Sequence, residues 1–141
     1  MKIFDFVDEH AVCCNLVSVT KESIIRELIG LLAKADRIKD RDVSRLTGIL
    51  MERESLGSTG IGDGVAIPHG KSNCVNQLIG SVGVSKNGIE FDSLDGERTY
   101  IFFLLIAPED SAGPHLKALA RISRLLKEKP FRDGIRAAKD E

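Results

Sequence analysis

Two histidines stand where an imidazole could do chemistry. His69 follows Val65-Ala66-Ile67-Pro68 and precedes Gly70, which places it at the end of a short predicted strand beside a glycine-rich loop. Pro68 holds Ile67 extended and has no N–H to give a sheet ladder. His115 follows Gly113-Pro114, in the first turn of a predicted helix. Unbonded N–H groups and the positive end of the helix dipole gather at such a turn, which suits an anion, phosphate above all. Arg53, Ser58 and Thr59 precede His69 and offer a guanidinium fork and hydroxyl donors. Together these groups describe a site that holds a phosphoryl group. An imidazole with an ordinary pKa is about three-quarters neutral at pH 7, so a nitrogen nucleophile is at hand. A plainer reading competes at each position: a hydrogen-bonded loop histidine at 69 and an ordinary first-turn residue at 115.

Other chemistries fit less well. Gly70-Lys71-Ser72 looks like the end of a phosphate-binding P-loop, but five residues separate Gly64 from Gly70 where that motif has four. Asn73, Cys74 and Asn76 also make a poor helix start. Gly60, Gly62 and Gly64 miss the dinucleotide pattern, because Val65 and Ile67 stand where it requires glycine. The 3 histidines and 3 cysteines form no HxxxH, HxH or CxxC pair, so no metal site is expected. Cys13, Cys14 and Cys74 read as small core or near-surface residues. No G-x-S-x-G nucleophile elbow is present. His10, beside Asp8 and Glu9, reads as a solvated surface residue.

Composition bounds the rest. The chain has 141 residues, 43% hydrophobic and 29% charged, which suits one folded domain with a real core. Lys and Arg total 20 against 21 Asp and Glu, a net charge of -1. That balance argues against nucleic acid or an anionic membrane as the main partner. The apolar run Ile101 to Ala107 is far short of the roughly 20 residues a spanning helix needs. Acids at Asp5 and Asp8 argue against a signal peptide, and the odd cysteine count points to a reducing cytoplasm.

The elements that must position these groups follow from periodicity. A short strand is expected over Ala11 to Val17. Thr20 is a candidate N-cap for a helix from Lys21 to about Ala35, with Ile24, Ile25, Leu28, Leu31, Leu32 and Ala35 on one face. A second helix is expected from about Arg41 to Glu54, burying Val43, Leu46, Ile49 and Leu50. Gly57 to Gly64 is a glycine-rich loop, and Val65 to Ile67 a short strand. Leu78 to Ser85 is a candidate strand that ends at a Lys86-Asn87-Gly88 turn. Thr99 to Ala107 is continuously apolar, as a central strand covered on both faces would be. Ser111 to Pro114 opens a helix that buries Leu116, Leu119, Ala120, Ile122 and Leu126, and Phe131 to Ala138 forms a short last helix. The class is α/β: a single domain with a mixed sheet of about five strands flanked by helices.

The stretch Arg53-Glu54-Ser55-Leu56-Gly57-Ser58-Thr59-Gly60-Ile61-Gly62-Asp63-Gly64-Val65-Ala66-Ile67-Pro68-His69-Gly70-Lys71 resembles the signature of the enzyme IIA domain of the bacterial phosphotransferase system. The subclass is the fructose, mannitol and nitrogen-regulatory one. The segment from His115 to Leu126 is similar to the second histidine motif of that family. The resemblance spans nearly the whole chain. It implies a phosphotransferase that relays a phosphoryl group from the phosphocarrier HPr to His69, with Nε2 as the accepting nitrogen. It implies that His115 assists without being phosphorylated, that Arg53 is the active-site arginine, and that no metal, nucleotide or other cofactor takes part. Ser58 or Thr59 and the amides near Gly113 to Leu116 would stabilise the phosphoryl oxygens. The implied downstream partner is either an enzyme IIB cysteine, in sugar transport, or a kinase or transporter regulated by the phosphorylation state. The regulatory branch is modestly favoured. Family members usually continue into a further C-terminal helix, so the chain is expected to lack that helix. Asp63 stands where some members differ; it would either hold the imidazole or, the favoured reading, satisfy the loop backbone.

Overall fold

A computed structural model describes residues 6–110 and 113–137, apart from the side chains of residues 113–116, 118, 131, 136 and 137. Among the described residues six strands form one mixed sheet: β1 (Val7–Cys13), β2 (Gly60–Gly62), β3 (Val65–Ala66), β4 (His69–Lys71), β5 (Ile79–Ile89) and β6 (Thr99–Ala107). The helices are α1 (Lys21–Lys34), α2 (Val43–Ser55), α3 (Gly113–Leu126) and α4 (Lys129–Ala137). The strand order is β1-β5-β6-β3-β2, with β4 also paired to β6. β5 and β6 are antiparallel, whereas β1 on β5, and β3 and β4 on β6, are parallel.

β6 organises the core. Every residue in it is buried except Tyr100. Its side chains alternate between two clusters, as the period of 2 requires. Phe102, Leu104 and Ile106 pack with Ile24, Leu28 and Leu32 of α1 and Leu46 and Leu50 of α2. Ile101, Phe103 and Leu105 face the opposite way, toward Ile122 and Leu126 of α3. Helices therefore cover both faces, as the unbroken apolar run predicts. Phe91 closes the first cluster edge-on against Phe102, with ring centroids 5.4 Å apart.

α1 begins where its sequence signals say. Thr20 caps it and forms a reciprocal capping box with Ser23. Ile29 joins the buried face, while Leu31 and Ala35 are only partly buried against it. α2 starts later than expected, because Asp40 to Asp42 form a single 3-10 turn ahead of it. Val43 and Ile49 sit partly buried at the edge of its stripe.

Several expectations are corrected. The first strand lies at Val7–Cys13, not Ala11 to Val17. Beyond it Leu16 still donates to Val84 at 2.8 Å, so an apolar segment remains against β5 after the strand has ended. β5 does not stop at Ser85; it runs through Lys86-Asn87-Gly88 to Ile89 with a register shift after Val84. Part of the glycine-rich loop is itself a strand: β2 and β3 form a hairpin about Asp63-Gly64, with φ of 58° and 77°. Both values are positive, the geometry that favours Asp-Gly in a two-residue turn. Ala120 of α3 is exposed, while Leu119 is half-buried. The last helix starts at Lys129, ahead of Phe131. Ser111, Ala112, Ala138 and the side chain of Leu116 lie outside the described residues.

Burial makes the stability of the first cluster testable. Leu28 has no exposed surface. Leu28→Ala should cost about 2–5 kcal/mol, seen as a lower urea midpoint at unchanged m. Thr20→Ala should cost about 1 kcal/mol through the lost cap.

Candidate functional site

Pro68 interrupts the strand that carries His69 without turning the chain away. β3 pairs Val65 with Ile101 and Ala66 with Phe102, and β4 resumes in the same register with His69 opposite Leu105. Between them Pro68 lends its carbonyl to the Leu105 N–H at 2.9 Å. The missing proline N–H thus frees a short span from the ladder while β6 still dictates where the chain goes. Gly70 lets this edge approach α2: a Cβ there would lie 3.0 Å from Leu50 and 3.3 Å from Ile49.

That approach brings His69 and Arg53 together. They line one cleft of about 350 Å³ with Ile49, Glu52, Leu56, Gly70 and Lys71. Arg53 is in the last turn of α2, where a cation suits the negative end of the helix dipole. Its guanidinium donates to the Gly57 carbonyl at 2.7 Å, so the helix end and the start of the loop hold it. Leu56, just past the helix, is 82% exposed on the rim.

A contact to the backbone of β3's continuation orients the ring of His69. Its Nδ1 lies 2.8 Å from the Ile67 carbonyl oxygen. A carbonyl oxygen only accepts, so Nδ1 carries the hydrogen and the neutral ring has its lone pair on Nε2. Burial lowers the pKa of His69 below 6.5; the bond to Ile67 opposes this, Arg53 lowers it further, and Glu54 raises it. Arrayed this way, the site offers a neutral imidazole nucleophile beside the cations Arg53 and Lys71.

Ser58 and Thr59 do not reach this cleft. The Ser58 hydroxyl donates to the Phe91 carbonyl at 2.7 Å and accepts from the Gly60 N–H at 3.0 Å. Thr59 is buried, and its N–H and hydroxyl both donate to the Glu54 carboxylate. Both residues secure the loop that precedes the hairpin. His115 lies near the start of α3, and its side chain is outside the described residues. Asp63 sits exposed at the hairpin tip, where its N–H is held by the Asp95 carboxylate at 3.0 Å. His10 is exposed and bonded to Asp8, as read from its neighbours. The P-loop look-alike Gly70-Lys71-Ser72 belongs to β4 and the bond from Ser72 N to the Ala107 carbonyl.

Sequence reasoning passed over Glu54. Its side chain is 2% exposed, with Lys21 Nζ at 2.9 Å. A signal existed: Leu46, Leu50 and Glu54 recur every four residues, so an acid occupies a position of the buried stripe. Lys71 and Glu52 are further cleft residues that the motif did not single out.

The depressed pKa sets a pH dependence. The folded chain resists protonating His69, whereas the unfolded chain accepts the proton near 6.5. The stability linked to this ring is therefore full above 6.5 and declines as the pH falls toward the folded value. Histidine ring NMR should show His69 titrating below 6.5, with the Nδ1–H tautomer when neutral. A midpoint above 6.5 would contradict the burial described.

The family model for the phosphoenolpyruvate-dependent sugar phosphotransferase system, EIIA 2, matches residues 5–141. A nitrogen regulatory protein of Bradyrhizobium diazoefficiens is 38% identical over 140 residues, 99% of this chain and 90% of that protein. The fructose-specific EIIABC component of Bacillus subtilis is 37% identical over 141 residues, the whole of this chain but only 22% of that protein. The crystal structure of the nitrogen regulatory protein IIA-Ntr from Neisseria meningitidis superposes with a TM-score of 0.87 at 29% identity, covering 98% of this chain and 92% of that one. With its mixed sheet between helix layers and its family signature running through Arg53 and His69, the chain belongs to the EIIA 2 family of the phosphotransferase system.

Proposed function

We propose that the chain accepts a phosphoryl group on His69 Nε2 from a phosphohistidine of an HPr-type carrier. The observation that carries this reading is the bond from His69 Nδ1 to the Ile67 carbonyl, which assigns the lone pair to Nε2 in a cleft shared with Arg53. In the step, Nε2 forms a bond to phosphorus as the donor's N–P bond breaks. The leaving imidazole takes up one proton. The His69 ring becomes cationic as its lone pair is used, and a proton passes to solvent when it returns to neutrality. The Ile67 carbonyl, already accepting from Nδ1, stabilises that developing charge, in the way a carboxylate orients and supports the histidine of a hydrolase triad. Arg53 and Lys71 offset the charge on the phosphoryl oxygens. By the family resemblance, His115 assists from the start of α3 without being phosphorylated. Ser58 and Thr59 serve by holding the loop. No metal or cofactor enters the step.

The donor is a protein on this reading. The exposed Leu56 gives the cleft rim an apolar contact that a small phosphate donor has no use for. The extent and fold of the match to nitrogen regulatory proteins favour a regulatory role in the cytoplasm, in which a phosphoryl charge at His69 switches binding to a kinase or transporter. The comparable identity to a fructose component supports the second reading, delivery to an enzyme IIB cysteine.

The test is intact-mass analysis after incubation with phosphoenolpyruvate, enzyme I and HPr. The wild type should gain one phosphoryl group. His69→Ala should gain none, and His115→Ala should still be a substrate. Absence of any gain in the wild type with matched carriers would overturn the reading. Leu56→Asp should raise the KM for the carrier about tenfold with little change in kcat, as loss of an apolar contact at a protein interface does. Addition of enzyme IIB distinguishes the two roles, since only a transport member discharges to it.

A further inference from the structure

A carboxylate withdrawn from water needs compensating partners, because an uncompensated buried charge is strongly unfavourable. Glu54 finds them on two separate segments. Lys21 Nζ, from the first residue of α1, lies 2.9 Å away and also sits 4.8 Å above the Phe91 ring centre. The Thr59 N–H donates to the same oxygen, Oε2, at 3.1 Å, and the Thr59 hydroxyl donates to Oε1. The chain of contacts then continues inward. Thr59 accepts from the Ile67 N–H at 3.0 Å, and Ile67 accepts from His69 Nδ1 at 2.8 Å. At its other end Glu54 is the neighbour of Arg53, and its own carbonyl accepts from Gly57 N at 3.1 Å, beside the Gly57 carbonyl that holds the guanidinium.

We infer that Glu54 is a positioning residue for His69: paired with Lys21, it fixes Thr59, which fixes Ile67, whose carbonyl sets the ring tautomer and so the nitrogen that reacts. This rests on the proposed role of His69. Glu54 lies too deep to meet the donor, so its effect passes through the backbone at 59 and 67. Outer partners that orient metal-ligating histidines change affinity or activity about 10–100-fold when removed, and an effect of that order is expected for a histidine oriented in the same way.

The experiment compares the wild type with the double variant Lys21→Met/Glu54→Met, which removes both charges and leaves neither orphaned. The first readout is the ring NMR of His69, which distinguishes Nδ1–H from Nε2–H without any phosphorylation. The second is the rate of phosphoryl acceptance against carrier concentration. The double variant should show a mixture of tautomers and a kcat lowered about 10–100-fold, with KM within about twofold of the wild type. Lys21→Met/Glu54→Gln should recover much of both, because the amide oxygen can still accept from Thr59. A folded Met–Met variant with the pure Nδ1–H tautomer and an unchanged kcat would overturn the inference. Thr59→Val keeps the volume and removes the hydroxyl link alone, so it serves if the double variant does not fold. It should shift the tautomer in the same direction by less, and a ring spectrum and rate identical to the wild type would count against the inference. Failure of the wild type to accept a phosphoryl group would overturn the proposed function, while the tautomer comparison would still decide the role of Glu54.

Discussion

The buried carboxylate of Glu54 ties the start of α1 to the end of α2 and the loop beyond it. Removing it from water is tolerable only while Lys21 and Thr59 stay in place, and these belong to the start of α1 and to the loop after α2. The tie spans a long separation in sequence, from the start of α1 to the junction of α2 and its following loop. α1 cannot slide along the sheet without breaking the ion pair. The loop cannot lift from the end of α2 without stranding the charge. Phe91, under the Lys21 ammonium and edge-on to Phe102, joins that point to the core.

The sheet supplies the second constraint. β6 is buried on both faces, with Phe102, Leu104 and Ile106 on one side and Ile101, Phe103 and Leu105 on the other. β3 and β4 keep one register against it on either side of Pro68. His69 is consequently placed by a rigid strand and not by a loop, which suits the proposed role, since a nucleophile must meet phosphorus within a few tenths of an ångström. Gly70 extends the same precision to the facing helix, because a Cβ there would crowd the Leu50 and Ile49 side chains of α2.

Opposing effects meet at the imidazole. Burial and the guanidinium of Arg53 disfavour its cationic form, while the Ile67 carbonyl and the Glu54 charge favour it. The outcome is a ring whose neutral form is favoured, with an acceptor in place for the charge it would gain in the proposed step. None of this selects the downstream partner. Nitrogen regulatory and fructose-specific relatives match this chain about equally in identity, so the shared fold serves both kinds of protein.

Local signals made much of the architecture legible. The capping box at Thr20, the apolar period of α1 and α2, and the unbroken run of β6 each reflect interactions within a few residues or a single burial requirement. The motif at Pro68-His69-Gly70 and Arg53 was legible for the same reason: residue types and spacing carry it. The first strand was misplaced because Leu16 and Val17 are apolar, yet only Leu16 is buried, against β5 rather than as part of β1. The sequence by itself determined the residue types, the helical and extended periods and the motif, all of which depend on near neighbours. Tertiary structure decided that Ser58 and Thr59 turn their hydroxyls to Phe91 and Glu54, that Glu54 meets Lys21, and that Nδ1 of His69 bears the hydrogen. Those outcomes hang on contacts between segments up to 33 residues apart, where the cost of burying an unpartnered polar group, and not local propensity, chooses the partner.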